Sequence, residues 1–192
     1  MVNIIVEASP TIYQCCDTLI TAEDVASAVR FQNEQRRSEH LAWRRILRRE
    51  LGRNISISYN DVGAPVVDTP NRWISVAHSA GYVAVAIADR AIGIDIESSE
   101  RDFEYAKSRF MSEAEIALSD DRLWAGYVWI AKEAMYKLYG VRGIELRDEL
   151  HIESFDPHTK TLRGSLVGNA NKTLVQISHK EESMMVAVAT YE

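Results

Sequence analysis

The alternation of hydrophobic and polar positions predicts two successive rounds of helix followed by strands. In the first round, a capping pattern opens at Thr21 with Asp24, and a helix spans about residues 38–51 and stops at Gly52. Residues 60–71 contain glycine and prolines and are expected to form a loop. The strands predicted for this round cover residues 55–59, 73–77, 82–88 and 91–97.

The second round repeats this order. Ser112 and Glu115 form a capping box at the start of a helix, and a longer helix spans about residues 121–139 before Gly140. The apolar stripe of the longer helix is Leu123, Tyr127, Ala131, Ala134 and Leu138. The strands predicted after it cover residues 149–155, 161–167, 174–178 and 184–190.

The two rounds share a short internal echo. Strand, histidine turn and strand occur at 74–86, which includes His78, and again at 175–189, which includes His179. We interpret this as an internal duplication, although chance similarity between strands of small residues is the alternative. The expectation is an α+β fold of two similar halves, residues 1–97 and 98–192, each a long helix on a small, mostly antiparallel sheet. A pseudo-two-fold would relate the halves, and the groove between them is the expected ligand site.

Composition excludes several classes of protein. The chain has 192 residues, of which 46% are hydrophobic and 26% charged, which is typical of a folded globular protein. The longest apolar run, 82–88, is too short to cross a bilayer, and the first seven residues lack the basic leader of a secretory signal. Cys15 and Cys16 are adjacent, which argues against a disulfide framework or a cysteine-based zinc site. We therefore expect a cytoplasmic protein.

Charge is unevenly distributed along the chain. The net charge is −6, yet residues 30–53 contain eight arginines against three glutamates. An acidic protein with a single arginine-rich segment is not a general nucleic-acid binder. The segment fits phosphate recognition, docking of an acidic partner, or simply a solvated helix face.

Two carboxylates occupy one predicted strand. Residues i and i+2 of a strand face the same side, so Asp95 and Glu97 project together while Ile94 and Ile96 point into the core. Adjacent carboxylates repel each other and are best tolerated with a cation between them, and hard oxygen ligands favour Mg²⁺. The alternative is a strand end that carries two charges into solvent.

A third carboxylate and a lysine lie on the long second-round helix. Glu133 and Lys137 are four residues apart, so they are neighbours on one helix face at the edge of the apolar stripe. Taken alone, this pair is typical of a helix-stabilising ion pair.

Together, these two segments resemble the signature of the 4′-phosphopantetheinyl transferases. The matching residues are Gly93, Asp95, Trp129, Lys132, Glu133, Ala134 and Lys137, with 38 positions between Asp95 and Glu133. Glu97, the duplicated layout and the length resemble the pseudodimeric, surfactin-synthetase-activating type.

Further segments extend the resemblance to about residues 36–140. The stretch 74–79 is similar to the family's histidine segment, 37–44 to its arginine helix, and 63–65 to its Gly-Lys-Pro turn. Three positions depart from the family pattern and remove polar side chains that would contact the substrate: Ala64, Ser75 and Ala77.

The resemblance implies transfer of 4′-phosphopantetheine from coenzyme A to a serine of an acyl, polyketide or peptidyl carrier protein, with release of adenosine 3′,5′-bisphosphate. It implies that Mg²⁺ is held by Asp95, Glu97 and Glu133, and that Glu133 accepts the serine proton directly or through water. Lys137 would stabilise the pyrophosphate. The residues expected to bind coenzyme A are Arg37, Arg44, Gly63, Pro65, His78, Asp95, Glu133 and Lys137. An internal two-fold would build the site within a monomer.

Other functional classes have weaker support. An inactive coenzyme A or carrier-binding module fits the alanines at 64 and 77 but not the retained carboxylates. A Mg²⁺-dependent nucleotide hydrolase would need a glycine-rich phosphate loop, and a serine hydrolase would need a Gly-x-Ser-x-Gly elbow; the sequence contains neither.

Overall fold

The chain divides between Arg90 and Ala91 in the computed structural model, which describes residues 2–9, 17–181 and 183–192. The duplicated sequence pattern predicts the boundary after Glu97 instead. The division falls earlier because the strand that contains Asp95 and Glu97 pairs with the last strand of the second unit. The inference drawn from Cys15 and Cys16 lies outside the described residues.

The described residues of the first unit form two helices and two antiparallel sheets. A three-stranded sheet has the order β1-β5-β4, and β2 pairs with β3 in a hairpin. Helix α2 packs on β5, and Trp43, Ile46 and Leu47 meet Val83 and Val85 in the core. The elements are β1 (Val2–Ala8), α1 (Ala22–Ala28), α2 (Glu34–Leu51), β2 (Ile57–Tyr59), β3 (Pro65–Val67), β4 (Trp73–Ser79) and β5 (Tyr82–Ala88).

Strand β1 was not predicted, and two further features of this unit differ from the prediction. Helix α2 begins at Glu34 rather than near Ser38, because the side chain of Asn33 caps its first turn by accepting from the Arg36 amide. The predicted loop 60–71 contains β3, which starts at Pro65. Proline is tolerated at the first residue of a strand. Because proline is also typical of loops, this three-residue strand was not predicted.

The capping box at Thr21 is confirmed, and it leads to a buried ion cluster. The Asp24 carboxylate is fully buried and accepts from Arg48 Nε at 2.7 Å and from Arg44 Nη1 at 2.9 Å. Burial alone would raise the pKa of Asp24, but the hydrogen bonds from Arg48, Thr21 and Arg44 lower it to about 2. The cluster ties α1 to α2.

The second unit is a five-stranded antiparallel sheet covered by one long helix. The strand order is β6-β10-β9-β8-β7, and helix α4 packs mainly on β6 and β10. The predicted apolar stripe of α4 is confirmed from Tyr127 onward, since Tyr127, Ala131 and Ala134 are at most 2% exposed, but Leu123 precedes the helix, which begins at Trp124 rather than near residue 121. The elements are β6 (Gly93–Ser98), a 3₁₀ helix (Glu104–Arg109), α3 (Glu113–Ile116), α4 (Trp124–Tyr139), β7 (Leu150–Asp156), β8 (Thr161–Leu166), β9 (Lys172–Lys180) and β10 (Met184–Tyr191).

The expected mixture of helices and antiparallel sheets is therefore confirmed. Each unit places a long helix on an antiparallel sheet, as the duplicated pattern suggested. The pseudo-two-fold stays a prediction. Among the described residues, no helix is both long and apolar enough to span a membrane.

Gly93 allows an unusually close approach between β6 and α4. A Cβ atom at this position would lie 1.9 Å from the Ala134 carbonyl oxygen and 2.8 Å from the Leu138 amide nitrogen. Both atoms belong to the helix backbone, so they cannot turn away as a flexible side chain would. The glycine of the Ile-Gly-Ile-Asp segment therefore sets the distance between strand and helix.

We predict that Gly93→Ala destabilises the second unit by about 1–3 kcal/mol or more, because α4 must move away from β6. Denaturant unfolding followed by tryptophan fluorescence measures the change. Gly126→Ala is the control, since the nearest atom there is the flexible end of the Met185 side chain. An unchanged midpoint for Gly93→Ala would show that the close approach imposes no constraint.

Candidate functional site

Asp95 lies on the face of β6 that meets helix α4. Residues 93 and 95 share one face of the strand, and Gly93 packs directly against the helix backbone. Asp95 is consequently only 8% exposed, so the alternative of a solvent-exposed strand end is wrong for this residue. Lys137 of α4 donates from Nζ to Asp95 Oδ1 at 2.8 Å and to the Ile94 carbonyl oxygen at 2.9 Å.

Glu133 lies one turn before Lys137 and is half-buried. Burial raises the pKa of Glu133, and the nearby charges of Asp95 and Glu97 raise it further, whereas Lys137 and Arg101 lower it. Among the described residues, no donor forms a hydrogen bond with the Glu133 carboxylate. The hydrogen bonds of Lys137 therefore go to β6 rather than to Glu133.

Asp95 and Glu97 complete a group of coupled carboxylates. Burial raises the pKa of Asp95, and the charge of Glu97 adds to this rise, against the opposing effect of Lys137. Glu97 forms an ion pair with Arg101. The structure thus brings three predicted acidic residues from two distant segments into one electrostatic neighbourhood, within the second unit.

Carboxylate oxygens are ligands that a divalent cation prefers, but Asp95, Glu97 and Glu133 are not arranged as a metal site. Across the residues that the structure describes, no group of three or more histidine, cysteine, aspartate or glutamate side chains is arranged to hold a metal ion. Two carboxylates instead carry side-chain cations, with Lys137 on Asp95 and Arg101 on Glu97. The carboxylates repel one another, and a nearby positive charge lowers that repulsion. A hard cation such as Mg²⁺ would have the same effect.

Lys132 belongs to the same sequence motif but points into the core. Its ammonium group has no solvent exposure and donates to the carbonyl oxygens of Phe110 and Leu146, both at 2.8 Å, and to the Glu115 carboxylate. Glu115 also accepts from the amide of Ile152 at 2.7 Å. Lys132 therefore joins α4 to α3, β7 and two loops, a role that the motif did not reveal.

A separate cavity in the first unit collects basic and aromatic side chains. Its volume is about 240 Å³. Two of the predicted coenzyme A contacts, His78 and Pro65, lie on its wall. The other lining residues are Arg30, Phe31, Arg36, His40, Trp43, Tyr59 and Val76.

His78 contacts two charged side chains in the first turns of α2, Arg36 and Glu39. Its Nδ1 atom lies 2.9 Å from Arg36 Nη1 and 3.2 Å from a carboxylate oxygen of the buried Glu39. Arg30 lies over the rings of Phe31 and Tyr59, with its guanidinium carbon 5.2 and 5.3 Å from their centroids. The cavity therefore offers positive charge beside flat aromatic surfaces.

The other coenzyme A contacts predicted in the first unit, Arg37, Gly63 and Arg44, do not line this cavity. Arg37 donates from Nε to the Phe31 carbonyl oxygen at 2.6 Å, and Gly63 occupies the exposed β2–β3 turn with a φ of 86°. Arg44 is 2% exposed and is engaged by Asp24 and the Trp43 ring. The phosphate role of Arg44 stays a prediction, which this burial disfavours.

Sequence reasoning missed Arg30, Arg36 and the aromatic walls of the cavity. The available signal was the density of arginines between 30 and 53, which could not show which of them face the cavity. The cap at Asn33, which starts α2 four residues early, places Arg36 in the first turn.

Comparison with known proteins bears on the second unit. The sequence model described as the 4′-phosphopantetheinyl transferase superfamily matches residues 91–189, just over half of the chain. This match spans β6 to β10 and includes the coupled carboxylates and Lys137. No curated protein matches the chain.

We predict that Lys132→Met costs about 3–5 kcal/mol of unfolding free energy, because it leaves the buried Glu115 charge without its cation. Chemical denaturation of the purified variant measures this loss. Lys107→Met is the matched control, since Lys107 pairs with Glu104 on the surface, and little change is expected there. Equal unfolding free energies for the two variants would show that Lys132 has no special structural role.

His40 gives the first unit a pH-dependent stability. Burial lowers the pKa of His40 to about 4, with the charges of Arg44 and Arg30 contributing, and its Nε2 lies 2.7 Å from Ser27 Oγ. Between pH 6.5 and 4 the unfolded chain gains a proton there that the folded chain does not. Unfolding free energy should fall over this window by about 1.4 kcal/mol per pH unit at most from this group. His40→Gln should flatten the slope; an unchanged slope would contradict the prediction.

Proposed function

The chain belongs to the 4′-phosphopantetheinyl transferase superfamily, and from this premise we propose that it transfers 4′-phosphopantetheine from coenzyme A to a serine hydroxyl of a carrier protein. The observation that carries the proposal is the contact of Lys137 with Asp95, beside Glu133 and Glu97. The acceptor is an acyl, polyketide or peptidyl carrier. We also propose the pseudodimeric type, because each unit has a long helix on an antiparallel sheet.

The proposed reaction replaces a phosphoanhydride bond of coenzyme A by a phosphoester bond to serine. A bond forms between the serine oxygen and the β-phosphorus, which carries the pantetheine arm. The bond from that phosphorus to the bridging oxygen breaks, and adenosine 3′,5′-bisphosphate leaves with that oxygen. Such a reaction requires neutralisation of the pyrophosphate charge and removal of the serine proton.

The residues of the second unit are suited to both requirements. Glu133 is the proposed base, since its carboxylate has a raised pKa and no hydrogen-bond donor among the described residues. Lys137 carries the positive charge that would face the pyrophosphate and the leaving bisphosphate. Asp95, Glu97 and Glu133 would hold Mg²⁺. Bound there, the ion would screen the pyrophosphate charge.

The first-unit cavity is the proposed site for the 3′-phosphoadenosine part of coenzyme A. Arg36 and His78 would bind the 3′-phosphate, because both line the cavity and both carry nitrogen donors. Phe31, Trp43 and Tyr59 supply flat surfaces for the adenine ring. Pro65 lies on the same wall, and Gly63 lies in the adjoining turn. In this proposal Arg36 takes the phosphate role for which sequence analysis named Arg37 and Arg44.

We predict that Glu133→Gln lowers the transfer rate by about 10²–10⁴-fold with a folded protein, because the amide cannot accept the serine proton. In the same assay, Asp95→Asn should abolish transfer. Mass spectrometry of an apo-carrier incubated with coenzyme A and Mg²⁺ measures the serine-linked mass gain. Glu153→Gln is the control, since Glu153 is an exposed carboxylate of β7.

Three outcomes separate the candidate activities in that assay. Mass gain by the wild type supports transfer. Coenzyme A binding without mass gain would indicate a binding module, and bisphosphate release without carrier modification would indicate a hydrolase. Full activity of Asp95→Asn or Glu133→Gln would remove those residues from the mechanism.

We predict that Arg36→Ala raises the KM for coenzyme A by about tenfold with little change in kcat, because it removes a contact remote from the reacting phosphorus. The wild type should prefer coenzyme A over dephospho-coenzyme A, and this preference should shrink in the variant. Arg49→Ala is the matched control, since Arg49 lies on the same helix but pairs with Glu7 and Glu50. An undiminished preference in Arg36→Ala would place the 3′-phosphate elsewhere.

A further inference from the structure

The hydroxyl group of Tyr59 lies between two arginine side chains at the first-unit cavity. Tyr59 is the last residue of β2 and lines this cavity. Arg30 Nη2 lies 3.2 Å from the Tyr59 oxygen, and Arg44 Nη2 lies 3.5 Å from it. The guanidinium carbons of the two arginines also lie 5.3 and 5.9 Å from the centroid of the Tyr59 ring. Two positive side chains therefore hold the phenol in place.

The two arginines reach Tyr59 from different environments. Arg30 is exposed, whereas Arg44 is 2% exposed and donates to the buried Asp24 carboxylate. Arg48 donates to the same carboxylate, so one negative charge faces two buried guanidinium groups. The cluster of these three buried side chains therefore carries a net positive charge next to the Tyr59 hydroxyl.

These contacts fix the direction of the hydroxyl hydrogen. A guanidinium group has five N–H donors and no acceptor, so the Tyr59 oxygen accepts from both arginines. The O–H bond must then point away from both of them. Among the residues that the structure describes, no group accepts this hydrogen. Tyr59 consequently offers a ligand in the cavity a hydrogen-bond donor rather than an acceptor.

We propose that the Tyr59 hydroxyl donates a hydrogen bond to the 3′-phosphate of the bound ligand, and that this bond sets the preference of the cavity for that phosphate. The inference rests on the proposed function, which places the 3′-phosphoadenosine part of coenzyme A in this cavity. A phosphate oxygen is a charged acceptor, so it satisfies the hydroxyl hydrogen and the neighbouring positive charge together. A ribose hydroxyl at the same place accepts a hydrogen bond but carries no charge.

Calorimetric titration of the full chain with two nucleotides tests the inference without the transfer reaction. Adenosine 3′,5′-bisphosphate carries the 3′-phosphate, and adenosine 5′-monophosphate lacks it. The wild type should bind the bisphosphate more tightly. We expect Tyr59→Phe to lose about tenfold in affinity for the bisphosphate, the size of effect that one hydrogen bond to a charged group produces, and less than about twofold for the monophosphate.

The ratio of the two affinities isolates the hydroxyl group. Phenylalanine keeps the aromatic ring, so the proposed contact of the ring with adenine is unchanged. A folding defect would weaken the binding of both nucleotides alike and leave their ratio as it was. Equal losses for the two nucleotides, or an undiminished preference for the bisphosphate, would overturn the inference.

Tyr105→Phe is the matched control. Tyr105 is 90% exposed and lies on the 3₁₀ helix of the second unit. The substitution removes the same hydroxyl group from a residue outside the cavity, so both affinities should stay as in the wild type. A loss of preference as large as that of Tyr59→Phe would show that the effect does not come from the cavity.

The wild type separates failure of the inference from failure of the proposed function. If it prefers the bisphosphate and Tyr59→Phe does not, the role of Tyr59 holds, and an absence of mass gain on a carrier protein would count against transfer alone. If Tyr59→Phe keeps the preference, the inference fails while the proposed cavity stands. If the wild type binds both nucleotides equally or neither, the proposed placement of the 3′-phosphate fails and the inference fails with it.

Discussion

The close approach of β6 to α4 at Gly93 is the constraint on which the second unit depends. Helix backbone occupies the space that any side chain at position 93 would need. Because Asp95 follows two residues later on the same strand face, this approach also places its carboxylate within reach of Lys137. The packing of α4 on β6 and the contact of Lys137 with Asp95 therefore share one geometric requirement.

Periodicity predicted most of this fold because burial of one face repeats at a fixed interval. The strand at 82–88 and the stripe of α4 follow from that repetition. β3 has three residues and begins with proline, so it is too short to show a period. The 3₁₀ helix at 104–109 buries none of its residues and left no apolar pattern to detect.

The candidate site was only partly predictable from the sequence. The sequence alone was enough to single out Asp95, Glu133 and Lys137 as candidates. Strand and helix spacing place them on defined faces, and their separation matched a known pattern. The partner of Lys132 is Glu115, 17 positions away, and no local rule connects them. Arg44 and Arg48 belong to the arginine-rich segment, but both side chains are buried because they donate hydrogen bonds to Asp24. Long-range charge pairing of this kind depends on tertiary packing.

Lys132 shows how a sequence motif combines two kinds of constraint. Glu133 and Lys137 lie beside the carboxylates, whereas Lys132 is enclosed by carbonyl oxygens and Glu115. A genetic screen for lost activity would recover substitutions at all three positions and would not tell them apart. Only the yield of folded protein would separate a structural defect from a loss of activity, so survival-based mapping of this motif would count the structural Lys132 among the proposed catalytic residues.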